Sequence, residues 1–238
     1  MSKNYVTCII PARKSSKGIK NKNLQKINGK ELIQYPFELA HKSKYVDEVI
    51  FSSDSQKYIK ILEKLNKKKK KKQTHFLLRP KNLAKDNSSS YSVIEHALKN
   101  VNIKTNIVVL LEPTSPLTTM KDLDFCIKKL LKKNTKFDSV VSIVSNDKFN
   151  SNYKTTIDKN NKIIKFNKNI NIKRQKIIQE FFLSGNFYIS KKSELEKNKS
   201  FISDRTYGYK ILKKYYTDID DYIDLKYAKL LFHLNLKN

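Results

Sequence analysis

Residues 11–23, Pro-Ala-Arg-Lys-Ser-Ser-Lys-Gly-Ile-Lys-Asn-Lys-Asn, concentrate groups that bind phosphate. Arg13, Lys17 and Lys22 are fixed cations, Ser15 and Ser16 offer hydroxyls, and Gly18 lets another group approach the backbone closely. Such a set suits a triphosphate, because cations neutralise it and main-chain N–H groups cradle it. The segment is neither a GxxxxGK[ST] loop nor a three-glycine dinucleotide fingerprint. Taken alone, it reads equally as a basic surface loop. Near the other end, Asp218, Asp220, Asp221 and Asp224 crowd together in a chain rich in cations. In an extended segment Asp218 and Asp220 share one face, because side chains alternate with period two. Two such carboxylates, completed by phosphate oxygens and water, can hold Mg²⁺. The competing reading is that Asp220 or Asp221 caps the last helix. His41, His75, His96 and His233 have no spacing to one another or to a cysteine that suggests a metal cluster. Cys8 and Cys126 lie in apolar runs and read as core.

To serve one ligand, these two segments must be brought together by the elements between them. Apolar runs at Val6–Ile10, Glu48–Ser52, Thr74–Leu78, Ile107–Leu111, Ser139–Val144, Phe181–Ile189 and roughly Tyr207–Tyr216 read as strands. Several are continuously apolar, as expected of parallel strands covered on both faces. Helical spacing marks Glu31–Ser43 after an Asn28-Gly29 turn, then Tyr58/Ile61/Leu62/Leu65, Val93/Ala97/Leu98/Val101, Leu123/Ile127/Leu130/Leu131 and Leu225–Leu234. Thr119-x-x-Asp122 reads as a helix start. The alternation predicts an α/β fold with a mostly parallel sheet and helices on both faces. The loop after the first strand would then lie at the carboxyl end of the sheet, where such folds bind ligands. Residues from about 146 to 180 are rich in Asn, Lys, Asp and Ser, and an excursion placed at 146–183 departs from an otherwise single domain spanning 1–238.

The chain has 238 residues, with 50 Lys and Arg against 22 Asp and Glu, a formal charge of +28. Hydrophobic residues make up 39%, enough for a core rather than a disordered chain. No apolar run approaches the ~20 residues that cross a bilayer, and no secretory signal is visible. We therefore expect a cytoplasmic protein with no membrane partner. The lysines are spread throughout, and the run Lys67–Lys72 carries no interleaved aromatics, so nucleic acid is not the expected partner. The positive field favours a small anionic substrate.

IIPARKSSKGIKNKN resembles the opening signature of the CMP-sialic acid synthetases (acylneuraminate cytidylyltransferases). In the same order, Phe51–Asp54, Leu78-Arg79-Pro80 with Leu83-Ala84 and Ser88–Ser90, Leu110–Leu117, Ser184–Ile189, and Asp218-Ile219-Asp220 with Asp224-Leu225 resemble further motifs of that family. The resemblance implies a Rossmann-like nucleotidyltransferase fold. It implies an enzyme that joins CTP to a sialic-acid-like (nonulosonic) sugar, giving a CMP-sugar and pyrophosphate with Mg²⁺. Arg13, Lys22 and Asp220 would be catalytic, and Asp218 with Asp220 would hold the metal. Arg13, Ser16 and Lys22 would hold the phosphates, with Lys17 and Asn23 shaping the loop. The Pro11 and Ala12 backbone would lie near the ribose. Arg79 and the segment around Ser88 and Ser90 would read cytosine. Glu112, Thr114, Tyr188 and Arg174 would contact the acidic keto-sugar. The excursion would build a homodimer. Glu112 stands where the family commonly has Gln, and Phe182 and Ser184 depart from the pattern in the same half. A related acidic sugar or nucleotide, or a noncatalytic polyanion-binding homologue, are the alternative readings.

Overall fold

The computed structural model describes residues 4–69, 72–85, 87–145, 151, 154–166 and 178–236. In chain order the strands are β1 (Val6–Pro11), β2 (Lys26–Ile27), β3 (Lys30–Glu31), β4 (Glu48–Ser53), β5 (Gln73–Leu78), β6 (Ile107–Leu110), β7 (Ser139–Ser145), β8 (Thr155–Ile157), β9 (Ile163–Phe166), β10 (Phe181–Lys191) and β11 (Thr206–Lys210). The helices are α1 (Gln34–Lys42), α2 (Gln56–Lys69), α3 (Ser90–Asn100), α4 (Met120–Leu131), α5 (Lys192–Asn198) and α6 (Tyr222–Leu236). Seven strands form the central sheet in the order β11-β7-β10-β6-β1-β4-β5. Strands β1, β4, β5 and β6 run parallel, and β7 pairs in parallel with β11. Strand β10 is antiparallel to both its neighbours, β6 and β7.

Period-two alternation in β1 explains the two cores. Val6, Cys8 and Ile10 face one cluster with Phe37 of α1, Tyr58 and Leu62 of α2, and Leu123 and Ile127 of α4. Ile9 faces the other, with Ile94 and Ala97 of α3 and Leu195 of α5. Both faces of the sheet are thus covered by helices, as the apolar runs predict. Both cysteines are buried and free. The Thr119 start of α4 is a capping pair: Thr119 Oγ1 accepts from the Asp122 N–H at 3.1 Å and donates to Asp122 Oδ2 at 2.7 Å.

Among the boundaries that differ from expectation, three have a visible cause. Helix α1 starts at Gln34 rather than Glu31. Asn28 and Gly29 both have positive φ (45° and 77°), a hairpin turn that pairs β2 with β3 and takes Glu31 out of the helix. The last strand stops at Lys210 instead of continuing to Tyr216, where a 3₁₀ turn at Lys213–Tyr215 redirects the chain. The residue range 146–183 overlaps the central sheet, because Phe181–Leu183 pair with β7. Between them, β8 and β9 form a separate antiparallel pair. Arg174 lies outside the described residues.

Candidate active site

The loop after β1 and the segment before α6 are fastened together at three points. Ile19 and Ile219 are fully buried in one apolar cluster with Leu225 and Ala228. Beside it, Gly18 meets the main chain of Asp220 so closely that a Cβ there would lie 2.0 Å from the Asp220 carbonyl oxygen. The third point is an ion pair, Lys22 Nζ to Asp220 Oδ1 at 2.9 Å. Gly18 is therefore required for the approach of the chain's own tail; the sequence reading foresaw a close backbone approach there without identifying this partner. The loop after β6 holds the same tail. The Ile219 N–H donates to the Thr114 carbonyl at 3.1 Å, and the Ser115 hydroxyl donates to the Thr217 carbonyl at 2.8 Å.

The competing helix-cap reading falls to Asp221. Its Oδ1 accepts from the Ile223 and Asp224 N–H groups at 2.7 and 2.9 Å. The Asp220 side chain is left to face Lys22. The loop is also braced from within, because buried Asn23 donates from Nδ2 to the Arg13 carbonyl at 2.9 Å. From the neighbouring strand, Asp54 Oδ1 accepts from the Lys14 N–H at 2.7 Å.

These contacts enclose a cleft of about 340 Å³ at the carboxyl ends of β1, β5 and β6. Pro11, Arg13, Lys22 and Asn23 line it from the first loop, and Arg79, Ser88 and Ser90 from the segment after β5. Glu112 and Thr114 line it from the loop after β6, and Asp218 and Asp220 from the tail. A second pocket of about 250 Å³ adjoins, walled by Tyr91, Tyr188, Leu195, Phe201 and Ile202. Ser90 and Glu112 border both.

The charges perturb one another strongly. Burial raises the Glu112 carboxyl to about 7, with Asp218 and Asp220 adding repulsion and Lys22 opposing them. Burial and Asp220 also raise Asp218, while a hydrogen bond from the Thr114 hydroxyl and the charge of Lys22 pull it down. Arg79 is buried, and its Nε has no partner among the described residues. Burial lowers its pKa, with Asp54 opposing and Arg13 reinforcing that shift. The Tyr188 hydroxyl is pushed up to about 12 by burial and by the charges of Glu112 and Asp218. Perturbed groups gathered in a cleft mark a functional site.

Among the described residues, no three His, Cys, Asp or Glu side chains converge to hold an ion alone. The donor set that exists is the pair Asp218 and Asp220. Two carboxylates beside a cation-lined cleft fit a hard divalent ion that takes its other ligands from phosphate and water.

The sequence profile described as cytidylyltransferase matches residues 7–233. The chain belongs to the cytidylyltransferase family. It is 31% identical over 223 residues to an N-acylneuraminate cytidylyltransferase of Escherichia coli O18:K1:H7, covering 94% of this chain and 51% of that protein. A pseudaminic acid cytidylyltransferase of Campylobacter jejuni is 29% identical over 233 residues, covering 96% of each. The chain thus spans about half the length of the Escherichia coli relative and nearly all of the Campylobacter one. Among solved structures, a CMP:2-keto-3-deoxy-manno-octonic acid synthetase complexed with CTP shares the fold, with a TM-score of 0.69 at 14% identity over 98% of this chain and 100% of that one.

Within this cytidylyltransferase-family fold, most of the expected site residues meet in one cleft. Of the described ones, four do not line it. Ala12 is buried behind the wall, where its carbonyl accepts from the Ser53 hydroxyl at 2.6 Å. Ser16 and Lys17 belong to the loop but border neither pocket, and Tyr188 lines the second pocket. Other residues went unnamed in the sequence reading. Asp54, just after β4, closes the Phe51–Asp54 motif but is given no role by the sequence. Tyr91, Lys199 and Phe201 carried no signal, because they become pocket residues only when the start of α3 and the end of α5 come together.

Proposed function

We propose that this member of the cytidylyltransferase family transfers the cytidylyl group of CTP to an acidic nonulosonic sugar of sialic or pseudaminic type, releasing pyrophosphate. The observation that carries the reading is the 2.9 Å Lys22–Asp220 contact, which joins a cationic loop and a carboxylate pair across one cleft. Arg13 and Lys22 are read as binding the triphosphate, with Ser16 and Lys17 completing the loop. Arg79, whose buried Nε–H has no partner among the described residues, is read as donating to the cytosine carbonyl, and Ser88 and Ser90 as lying beside the base. Pro11 and Ala12 are read as the ribose side and Tyr188 and Arg174 as the sugar side, while Thr114 lies in the first pocket, bonded to Asp218. The sugar's anomeric hydroxyl forms the bond to the α-phosphorus, and the bond from that phosphorus to the bridging oxygen breaks. The cations hold the charge that builds on the phosphates. Cytidylyltransferases of this kind generally use a divalent cation. We assign Mg²⁺ to Asp218 and Asp220, where it would neutralise the triphosphate and orient it. The excursion up to residue 180 is read as the contact surface of a homodimer.

The test is pyrophosphate release by the folded protein supplied with CTP, Mg²⁺ and a panel of sialic-type and pseudaminic-type acids. Release with one or more acids is expected, and none with any acid overturns the reading. Tighter binding of UTP than of CTP would overturn the cytosine assignment alone.

A further inference from the structure

The two pockets meet at a neck bordered by Ser90 and Glu112. Under the proposed function, the triphosphate occupies the cationic pocket and the sugar the aromatic one. The attacking hydroxyl must then pass through this neck, with the α-phosphate on one side and the sugar ring on the other. Of the two shared residues, only Glu112 can take up a proton near neutral pH. The other carboxylates are committed elsewhere, since Asp218 accepts from the Thr114 hydroxyl and Asp220 faces Lys22. Neither borders the aromatic pocket. Gly185 flanks the neck in a left-handed conformation (φ 71°), and a Cβ there would lie 3.8 Å from Glu112 Oε2. Bare backbone on that side leaves the carboxylate edge open.

We propose that Glu112 is the general base of this enzyme, accepting the proton of the sugar's attacking hydroxyl as that oxygen bonds to the α-phosphorus. The assignment rests on the cytidylyl-transfer reading. The balance closes without another reactant. The hydroxyl O–H breaks toward a Glu112 carboxylate oxygen, the oxygen–phosphorus bond forms, and pyrophosphate leaves with the electrons of the broken bridge. Glu112 returns the proton to water after the products depart. The groups facing Glu112 are Asp218 and Asp220, which favour its protonated form, Lys22, which opposes them, and the Tyr188 hydroxyl. Burial and the two aspartates raise its carboxyl and Lys22 lowers it; a metal held by that pair would cancel the aspartates' share.

Glu112→Gln keeps the shape and removes the base. Relative to the parent, kcat with CTP, Mg²⁺ and the best acid of the panel should fall about 100-fold or more, the usual size of general-base catalysis. KM for CTP should move little. The parent's kcat should rise with pH through an acidic limb that the variant lacks. Glu112→Asp, a shorter base, should keep more of the rate than Glu112→Gln. Equal kcat in parent and Glu112→Gln, or the same acidic limb in both, overturns the assignment while cytidylyl transfer stands. A parent that binds CTP but releases pyrophosphate with no acid removes the functional reading and this assignment with it.

Discussion

Asp220 separates stability from chemistry at a single residue. Its backbone N–H donates to Asp224 Oδ2, a contact indifferent to its own side chain. The side chain is 78% exposed and pairs with Lys22. With the carboxylate in water and the Lys22 side chain 14% exposed, the pair contributes on the order of 1 kcal/mol. Asp220→Asn should therefore leave the melting temperature within a few degrees of the parent while pyrophosphate release falls on the order of 100-fold, the size of losing one electrostatic stabiliser. A melting drop that matched the activity loss would make Asp220 structural. Glu112 behaves oppositely. In the unfolded chain its carboxyl titrates at the ordinary 4.5, and in the folded protein at about 7. Below 4.5 both states hold the proton, and Glu112 is neutral to stability. Between 4.5 and 7 the unfolded chain loses its proton first, so stability declines as pH rises; above 7 the full cost of a buried charge is present. Glu112→Gln should thus stabilise the ligand-free protein by as much as roughly 3 kcal/mol at pH 8 and by nothing at pH 4. Urea melts at several pH values measure this, and a pH-independent difference would refute it. These residues were legible from type alone, since cations and carboxylates declare their chemistry. The Gly18 requirement was legible only in part, because a glycine announces a close approach without naming what approaches.

Among the elements, the parallel strands were readable because burial on both faces forces continuous apolar runs such as Ile107–Leu111. The direction of β10 was not readable. An antiparallel strand buried in mid-sheet carries the same apolar pattern, and direction depends on the connections at its ends. Its irregularity between Leu183 and Tyr188 has consequences for the site: Gly185 sits there at positive φ beside Ser115, Glu112 and Asp218. The end of β11 was misjudged because Ile211, Leu212, Tyr215 and Tyr216 prolong an apolar pattern past the last ladder bond. The loop after β1 and the segment before α6 act as one element despite their separation in sequence, and Gly18 is where that can be tested. Gly18→Ala sets a methyl 2.0 Å from the Asp220 carbonyl, so loop and tail must part. Overpacking of this kind costs about 1–3 kcal/mol. The expected result is a lower melting temperature together with weaker CTP binding in calorimetric titration. Normal CTP affinity in Gly18→Ala would show that the cleft does not depend on this closure.

For the whole molecule, the charge of +28 and the acidic neck pull in different directions. Lysines spread over the surface raise the local concentration of any anion, and both proposed substrates are anions. Inside the cleft the sign is mixed, with Arg13, Lys22 and Arg79 set against Glu112, Asp218 and Asp220. Capture therefore depends on a field that salt screens, whereas transfer depends on short contacts that salt barely reaches. Between about 0.01 M and 0.1 M salt the screening length shrinks from roughly 30 Å to 10 Å. Over that range kcat/KM for CTP should fall several-fold while kcat stays level, if encounter is steered by the field. The same series tests the polyanion-binding alternative. Contacts made only with a phosphate backbone weaken in proportion to a power of salt concentration set by the number of phosphates neutralised. RNA bound to a diffuse lysine surface should therefore be released well before Mg²⁺-CTP is. RNA binding that survived physiological salt in a protein that bound no Mg²⁺-CTP would reverse the assignment, making the surface the functional feature and the cleft a remnant.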